Sequence, residues 1–195
     1  MKVSDDNKSL WICSASERDT IDGYAGIFQF EIPSGKLLKK YTLDNRNGPH
    51  LFNDIVFTGS GDIYFTDSRA GKVWRTAPGS DTLQEYAAGY VYPNGIAIDE
   101  ASKALFLPDF TGLHMIDLNT GQQTRMNHQH ITYLNGIDGL YCYKGTLIAI
   151  QDSGNQDDRI VQFNYDVKKG LVTKAKTLQS FRKDFIPPTT GTIID

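Results

Sequence analysis

The chain has little cysteine, no long apolar run and no block of like charge, and each shortage excludes a class of protein. Two cysteines in 195 residues, Cys13 and Cys142, are too few for a disulfide-built scaffold. Both sit in apolar, strand-like runs where a buried free thiol is the expected state; a single bridge between them stays open, and with it the redox compartment. No stretch of about eighteen apolar residues occurs, so no membrane span is expected. The opening Met1-Lys2-Val3-Ser4-Asp5-Asp6 lacks the apolar core of a secretory signal. The 20 Lys and Arg and 23 Asp and Glu are interspersed, giving a net charge of −3 and a pI near 5.8, so no face is built to track phosphates. Nucleic acid and membrane are thereby set aside as partners. The chain reads as soluble and globular, with its compartment open (the cytoplasm is the simpler reading) and its oligomeric state open. Motifs are missing too: there is no Gly-x-Ser-x-Gly elbow, His-Glu-x-x-His, P-loop or dinucleotide fingerprint. Hydrolysis by a serine nucleophile has no support.

What is present is a turn-punctuated β pattern. Hydrophobic residues make up 39% of the chain, enough for a core, and they fall in runs of about four to eight rich in Ile, Val, Phe, Tyr and Leu, broken by Gly, Asp and Asn. No helical period competes with them. Hairpin turns carry Gly35, Gly79, Gly121 and Gly170, at steps of 44, 42 and 49 residues. Within one unit, strands are expected at 54–58, 63–67, 72–76 and 83–88, separated by Gly59-Ser60-Gly61 and Arg69-Ala70-Gly71. The first unit holds expected strands at 10–15, 27–32 and 37–43, with a polar loop inserted at 17–24. Four antiparallel strands in about 42 residues is the pattern of a propeller blade. The fold class is therefore all-β, a β-propeller in one domain, 1–195. Its blades run approximately 3–49, 50–90, 91–132 and 133–184, with the start of a fifth at 185–195. Four units and a fragment do not close a ring. Counting 14 residues back from Ser14, the apparent match of Asp67, reaches position 0. The expectation is an incomplete propeller, with a small irregular four-bladed ring as the alternative.

Three segments repeat a second register: His50-Leu51-Phe52-Asn53-Asp54-Ile55-Val56, Tyr92-Pro93-Asn94-Gly95-Ile96-Ala97 and Asn135-Gly136-Ile137-Asp138-Gly139-Leu140. Asn53, Asn94 and Asp138 stand 14, 15 and 14 residues before Asp67, Asp109 and Asp152, which are themselves 42 and 43 residues apart. In a propeller the leading ends of the inner strands converge on the central channel, so Asn53, Asn94 and Asp138 are expected to meet. Amide and carboxylate oxygens are what a hard cation such as Ca²⁺ selects. One carboxylate and two neutral amides leave such a cation with excess positive charge, able to polarise an ester or lactone carbonyl and steady an oxyanion. The bland reading is that Asn-Asp, Asn-Gly and Asp-Gly are turn formers; the shared register favours a site.

Other candidates are weaker. Asp67, Asp109 and Asp152 suggest a second metal, but an aspartate closing a strand more commonly bonds the amides of the next turn. His50 reads as a surface turn, His114 as an outward strand position, and His128 and His130 as a solvated loop. Tyr92, Tyr133, Phe110 and Phe52 flank the trio and would either wall an apolar substrate pocket or pack the blades.

On Phe52-Asn53-Asp54-Ile55-Val56, Gly61-Asp62-Ile63-Tyr64-Phe65-Thr66-Asp67-Ser68, Tyr92-Pro93-Asn94-Gly95-Ile96-Ala97 and Gly136-Ile137-Asp138-Gly139-Leu140, the chain resembles the SMP-30/gluconolactonase/luciferin-regenerating-enzyme family, best over 50–165. The resemblance implies a six-bladed propeller with a divalent cation in its channel that hydrolyses lactones or related esters. The cation is often Ca²⁺, with Zn²⁺, Mg²⁺ or Mn²⁺ as alternatives. Carried over by position, Asn94 and Asp138 are metal ligands, Asn53 is a ligand or a substrate contact, and Asp138 doubles as general base or nucleophile. The family's remaining ligand, a glutamate of an early blade, has no match; neither Glu17 nor Glu31 is assigned to it. Against the metal-dependent hydrolase stand two alternatives, a non-catalytic propeller that binds a partner and a truncated, inactive fragment.

Overall fold

The computed structural model describes residues 1–16, 22–129, 133–152, 158–180 and 189–194. Most of the loop expected at 17–24, the first residues of the expected fifth unit, Glu17 and His130 lie outside them. The described chain forms four sheets in sequence, antiparallel but for one short strand, grouped as two compact units, Met1–Pro93 and Asn94–Asp195.

The first unit holds two sheets. One is β1 (Lys2–Val3), β2 (Ser9–Ala15), β3 (Tyr24–Glu31) and β4 (Leu37–Asp44), and the other is β5 (Phe52–Phe57), β6 (Ile63–Asp67), β7 (Lys72–Thr76) and β8 (Gln84–Ala88). Each pairs in chain order, a meander. Their shared core is aromatic: Trp11 stacks on Tyr41 at 6.5 Å and meets Phe57 edge-on at 6.0 Å, with Ile27, Phe52, Ile55 and Phe65 packed around them. Phe52 is 3% exposed and packs in this core, its ring 6.4 Å from that of Phe65. Polar bonds tie the two sheets at their rims, with Lys2 Nζ donating to Ile55 O at 3.0 Å and Tyr41 Oη to Ser80 O at 2.8 Å.

The second unit repeats the plan with β9 (Ala97–Asp99), β10 (Ala104–Asp109), β11 (Gly112–Asp117) and β12 (Gln123–Arg125). Its other sheet contains β14 (Ile137–Tyr143), β15 (Thr146–Gln151), β16 (Arg159–Asp166) and β17 (Leu171–Ser180). Strand β10, Ala-Leu-Phe-Leu-Pro-Asp, is buried at every position. A strand covered on both faces reads as a continuous apolar run rather than an alternation. Phe106, Leu113, Leu140, Leu147 and Phe163 join in the core of this unit, and Tyr165 closes it by donating to Asp99 Oδ2 at 2.8 Å. Beyond Val172, β17 is mostly exposed and carries Lys174 and Lys176, charges that blunt the edge left open there.

One strand follows neither the meander nor the repeat. β13 (Asn127–His128) pairs in parallel with β17, adding a fifth strand to the last sheet. The chain can cross because Met126, between β12 and β13, is anchored: its N–H donates to Leu113 O at 2.8 Å and its side chain is buried. Asn127 N–H then reaches Gly170 O at 2.9 Å.

No helix among the described residues is long and apolar enough to cross a membrane. Cys13 and Cys142 are free thiols. Burial pushes the Cys13 thiol up to about 12 and raises that of Cys142, which a contact with the Tyr165 hydroxyl partly opposes. Only the thiolate is nucleophilic, and a pKa near 12 leaves about one thiolate in ten thousand at pH 8. Cys13 is therefore expected to react with iodoacetamide at pH 8 far more slowly in the native protein than in urea, as mass spectrometry would read out; equal rates would refute the packing around it.

Candidate functional site

Two of the three sequence-predicted residues occupy the same irregularity in different sheets. Between β5 and β6, Phe52 pairs with Asp67 and Ile55 with Phe65, so Asn53 and Asp54 together oppose Thr66. Between β14 and β15, Ile137 pairs with Gln151 and Leu140 with Ala149, so Asp138 and Gly139 together oppose Ile150. Each is a β-bulge, a feature that bends a strand and re-aims a side chain. Asn53 and Asp138 are thus the same position, the first residue of the bulge. In the third sheet β9 begins later, but the Asn94 N–H donates to Pro108 O at 3.1 Å. That places Asn94 opposite the residue before Asp109, as Asn53 lies opposite the residue before Asp67. A proline is tolerated at 108 because its missing N–H would point to the side where β9 has not yet begun.

The register corrects one equivalence expected from counting. Gln151, rather than Asp152, is the counterpart of Asp67, since each pairs with the residue that precedes the bulge. The β5–β6 hairpin has a longer turn, closing on Phe57 and Ile63, than the β14–β15 hairpin, which closes on Tyr143 and Thr146. Counting along the chain cannot see that difference. Asp152 lies one residue farther on, with its N–H bonded to Gly136 O at 2.8 Å.

The strand-closing residues act on backbone. Asp67, fully buried, accepts from Leu51 N at 2.9 Å, Ala70 N at 3.2 Å and Trp74 Nε1 at 3.1 Å, with His50 Nδ1 at 2.6 Å. Asp109 accepts from Thr111 N at 2.7 Å and Gly112 N at 3.1 Å, with His114 Nε2 at 3.0 Å. Gln151, also fully buried, donates to Tyr133 O at 3.2 Å and Asn135 O at 2.9 Å and accepts from Arg159 Nε at 2.9 Å. Asp67 and Gln151 therefore fix the segments that lead into Asn53 and Asp138. His50 and His114 are turned inward by these carboxylates, their side chains 11% and 15% exposed; the surface placement expected from local sequence fails because the acceptor of His50 lies 17 residues on and that of His114 lies across the tight β10–β11 hairpin. His128 is exposed. Among the described residues no group of three or more His, Cys, Asp or Glu side chains could hold a metal ion.

Around the trio, Asn53 Nδ2 donates to Ser68 Oγ at 2.9 Å, and Ser68 Oγ donates to Pro93 O at 2.6 Å. This relay assigns the amide: nitrogen toward Ser68, with Oδ1 as the acceptor end. Ser68 escaped the sequence reading, although it follows Asp67 in the quoted motif. In the second unit the Gly95 N–H donates to Asp138 O at 2.8 Å. A Cβ on Gly95 would sit 2.5 Å from Asp138 O and 2.8 Å from Leu140 N. Asn94-Gly95 and Asp138-Gly139 are therefore packed backbone on backbone, while Asn53 holds the matching bulge in the first unit. All three side chains are half-buried. Tyr92, Tyr133 and Phe110 are exposed. Glu31 ends β3 at an exposed turn, where it accepts from Ser34 Oγ.

No protein-family model matches the sequence, and no curated protein does. Solved structures match in fold. A chain of the nidogen/laminin complex superposes with a TM-score of 0.64 at 14% identity, covering 88% of this chain and 62% of its own. The fold is a β-propeller. Virginiamycin B lyase from Staphylococcus aureus gives 0.57 at 19% identity, with coverage of 90% and 57%, and a gluconolactonase from Xanthomonas campestris gives 0.57 at 16%, with 87% and 58%. The propeller likeness is gluconolactonase-like in its fold. This chain spans between 57% and 62% of the length of these three.

Because both atoms crowding Gly95 are backbone, Gly95→Ala should destabilise the propeller by about 1–3 kcal/mol, seen as a lower urea midpoint in circular dichroism. An unchanged midpoint would show that the two head segments do not pack this tightly.

Proposed function

We propose that the chain belongs to a metal-dependent hydrolase of lactones or related esters, of the SMP-30/gluconolactonase kind. The observation that carries this is the common placement of Asn53, Asn94 and Asp138. Each stands opposite the residue before the strand-closing position, in two cases at an identical bulge. Packing alone does not require amide or carboxylate side chains at three such points. The occurrence of a gluconolactonase among propellers of this shape supports the reading.

The donor set fits a hard divalent cation. Asn53 and Asn94 offer neutral amide oxygens and Asp138 a carboxylate, in half-buried positions where solvent screens little. Asn94 and Asp138 would hold the ion, most naturally Ca²⁺. Zn²⁺, Mg²⁺ or Mn²⁺ would need a tighter set. Register gives Asn53 the same role or that of a substrate contact, with its amide oriented by Ser68. When bound, a divalent cation supplies Lewis-acid polarisation of the substrate carbonyl. Asp138 would also take a proton from the attacking water or attack the carbonyl itself, the two roles that the family resemblance implies. The bond from Gly95 N–H holds the Asp138 backbone while its side chain does so.

A second reading, a propeller that binds a partner without chemistry, draws on one observation. Phe110 is 64% exposed and Tyr92 38%, apolar surface of a kind that a partner could cover.

The deciding experiment is calorimetry with Ca²⁺ together with hydrolysis of a panel of γ- and δ-lactones and aryl esters. Asp138→Asn should weaken Ca²⁺ binding at least about tenfold and reduce hydrolysis by about a hundredfold or more. Equal rates for the variant and the parent would sink the assignment, and a chain with no divalent site would favour the binding module.

A further inference from the structure

The contact that seats Asn94-Gly95 on Asp138 recurs one step farther along the chain. A Cβ on Gly95 would lie 2.5 Å from the Asp138 carbonyl oxygen, and a Cβ on Gly139 would lie 2.8 Å from the Thr189 carbonyl oxygen. In both places the glycine directly after a head residue is pressed by the carbonyl of a later segment. Residues 189–191 are then pinned at two further points. The Gly191 N–H donates to Tyr141 Oη at 2.8 Å, and that same hydroxyl stands 3.2 Å from the Cβ position of Gly139. A Cβ on Gly191 would be 3.2 Å from Ile150 Cδ1, on the residue opposite the Asp138 bulge.

We propose that Thr189 takes the head position that follows Asp138, and that its hydroxyl completes the same cation site, bound directly or through one water. The proposal rests on the reading of Asn94 and Asp138 as ligands. A hydroxyl is a neutral oxygen donor, and a hard cation that takes six to eight oxygens has room for one beside two amides and a carboxylate. It adds no charge, so the net positive field at the site is kept. Gly139 is explained at the same time, since any larger residue would push the Thr189 backbone away from Asp138.

The test is Ca²⁺ calorimetry on the whole chain and its Thr189→Val, Thr189→Ser and Asp138→Asn variants, with urea midpoints measured alongside. Valine matches threonine in shape and leaves the carbonyl contact with Gly139 in place, so a purely structural role would not register. Thr189→Val should weaken Ca²⁺ about tenfold at an unchanged urea midpoint, and Thr189→Ser should stay within about twofold of the parent. Undiminished affinity in Thr189→Val, with loss in Asp138→Asn, overturns the role of Thr189 and leaves the cation site standing. A parent chain that binds neither Ca²⁺ nor Mg²⁺, Mn²⁺ or Zn²⁺ overturns both.

Discussion

The structure depends on one constraint: backbone groups at the leading ends of the inner strands must be satisfied where the ladder is interrupted. A bulge leaves a residue without a ladder partner, and an unpaired buried N–H or C=O costs about as much as a lost hydrogen bond. The second and fourth sheets meet the need with buried side chains of opposite polarity. Asp67 accepts from the N–H of Leu51, whereas Gln151 donates to the carbonyls of Tyr133 and Asn135. What is kept is the position, at the strand end and facing the segment that leads into the bulge. The chemistry of the residue follows whatever that segment leaves unpaired.

This division of labour separates scaffold from site. A carboxylate that already accepts three N–H bonds, as Asp67 does, has its lone pairs spent on protein. Recruiting it to a metal would strand those donors at about 1–3 kcal/mol each. The bulge residues are placed differently. Their backbones are held, Asn94 by Pro108 and Asp138 by Gly95, while their side chains are half-buried. A position fixed through its backbone can change side chain without losing its place, which suits chemistry at Asn53, Asn94 and Asp138 and structure at Asp67, Asp109 and Gln151.

Much of this was legible in the sequence, and the failures have physical causes. Strands expected at 63–67 and 72–76 coincide with β6 and β7 because each is a short run of β-branched and aromatic residues set off by glycine-bearing turns. The strand expected at 54–58 begins at Phe52, since the bulge places Asn53 and Asp54, two polar residues, inside it and imitates a turn. The shift from Asp152 to Gln151 arises from hairpin length, which local spacing does not encode. The parallel pairing of Asn127–His128 with β17 rests on two backbone-paired residues that carry no apolar signature. The inward turn of His50 follows from an acceptor 17 residues away. The recurrence of Asn53, Asn94 and Asp138 was readable because the bulge fixes Asn53 and Asp138 at one register position and Asn94 keeps that position opposite Pro108.

Glycine is where sequence and geometry meet most tightly. Asn-Gly and Asp-Gly at the heads look like turn formers, and at Gly136, with φ +67° against the Asp152 carbonyl, that explanation holds. Gly95 and Gly139 are different: neither has a positive φ, and an alanine would suit their backbones. What forbids a side chain is the carbonyl of the next segment, Asp138 over Gly95 and Thr189 over Gly139. The head segments thus need glycine for approach rather than for conformation. Were the heads to share an ion as proposed, such an approach would bring their segments together without a side chain that competes for it.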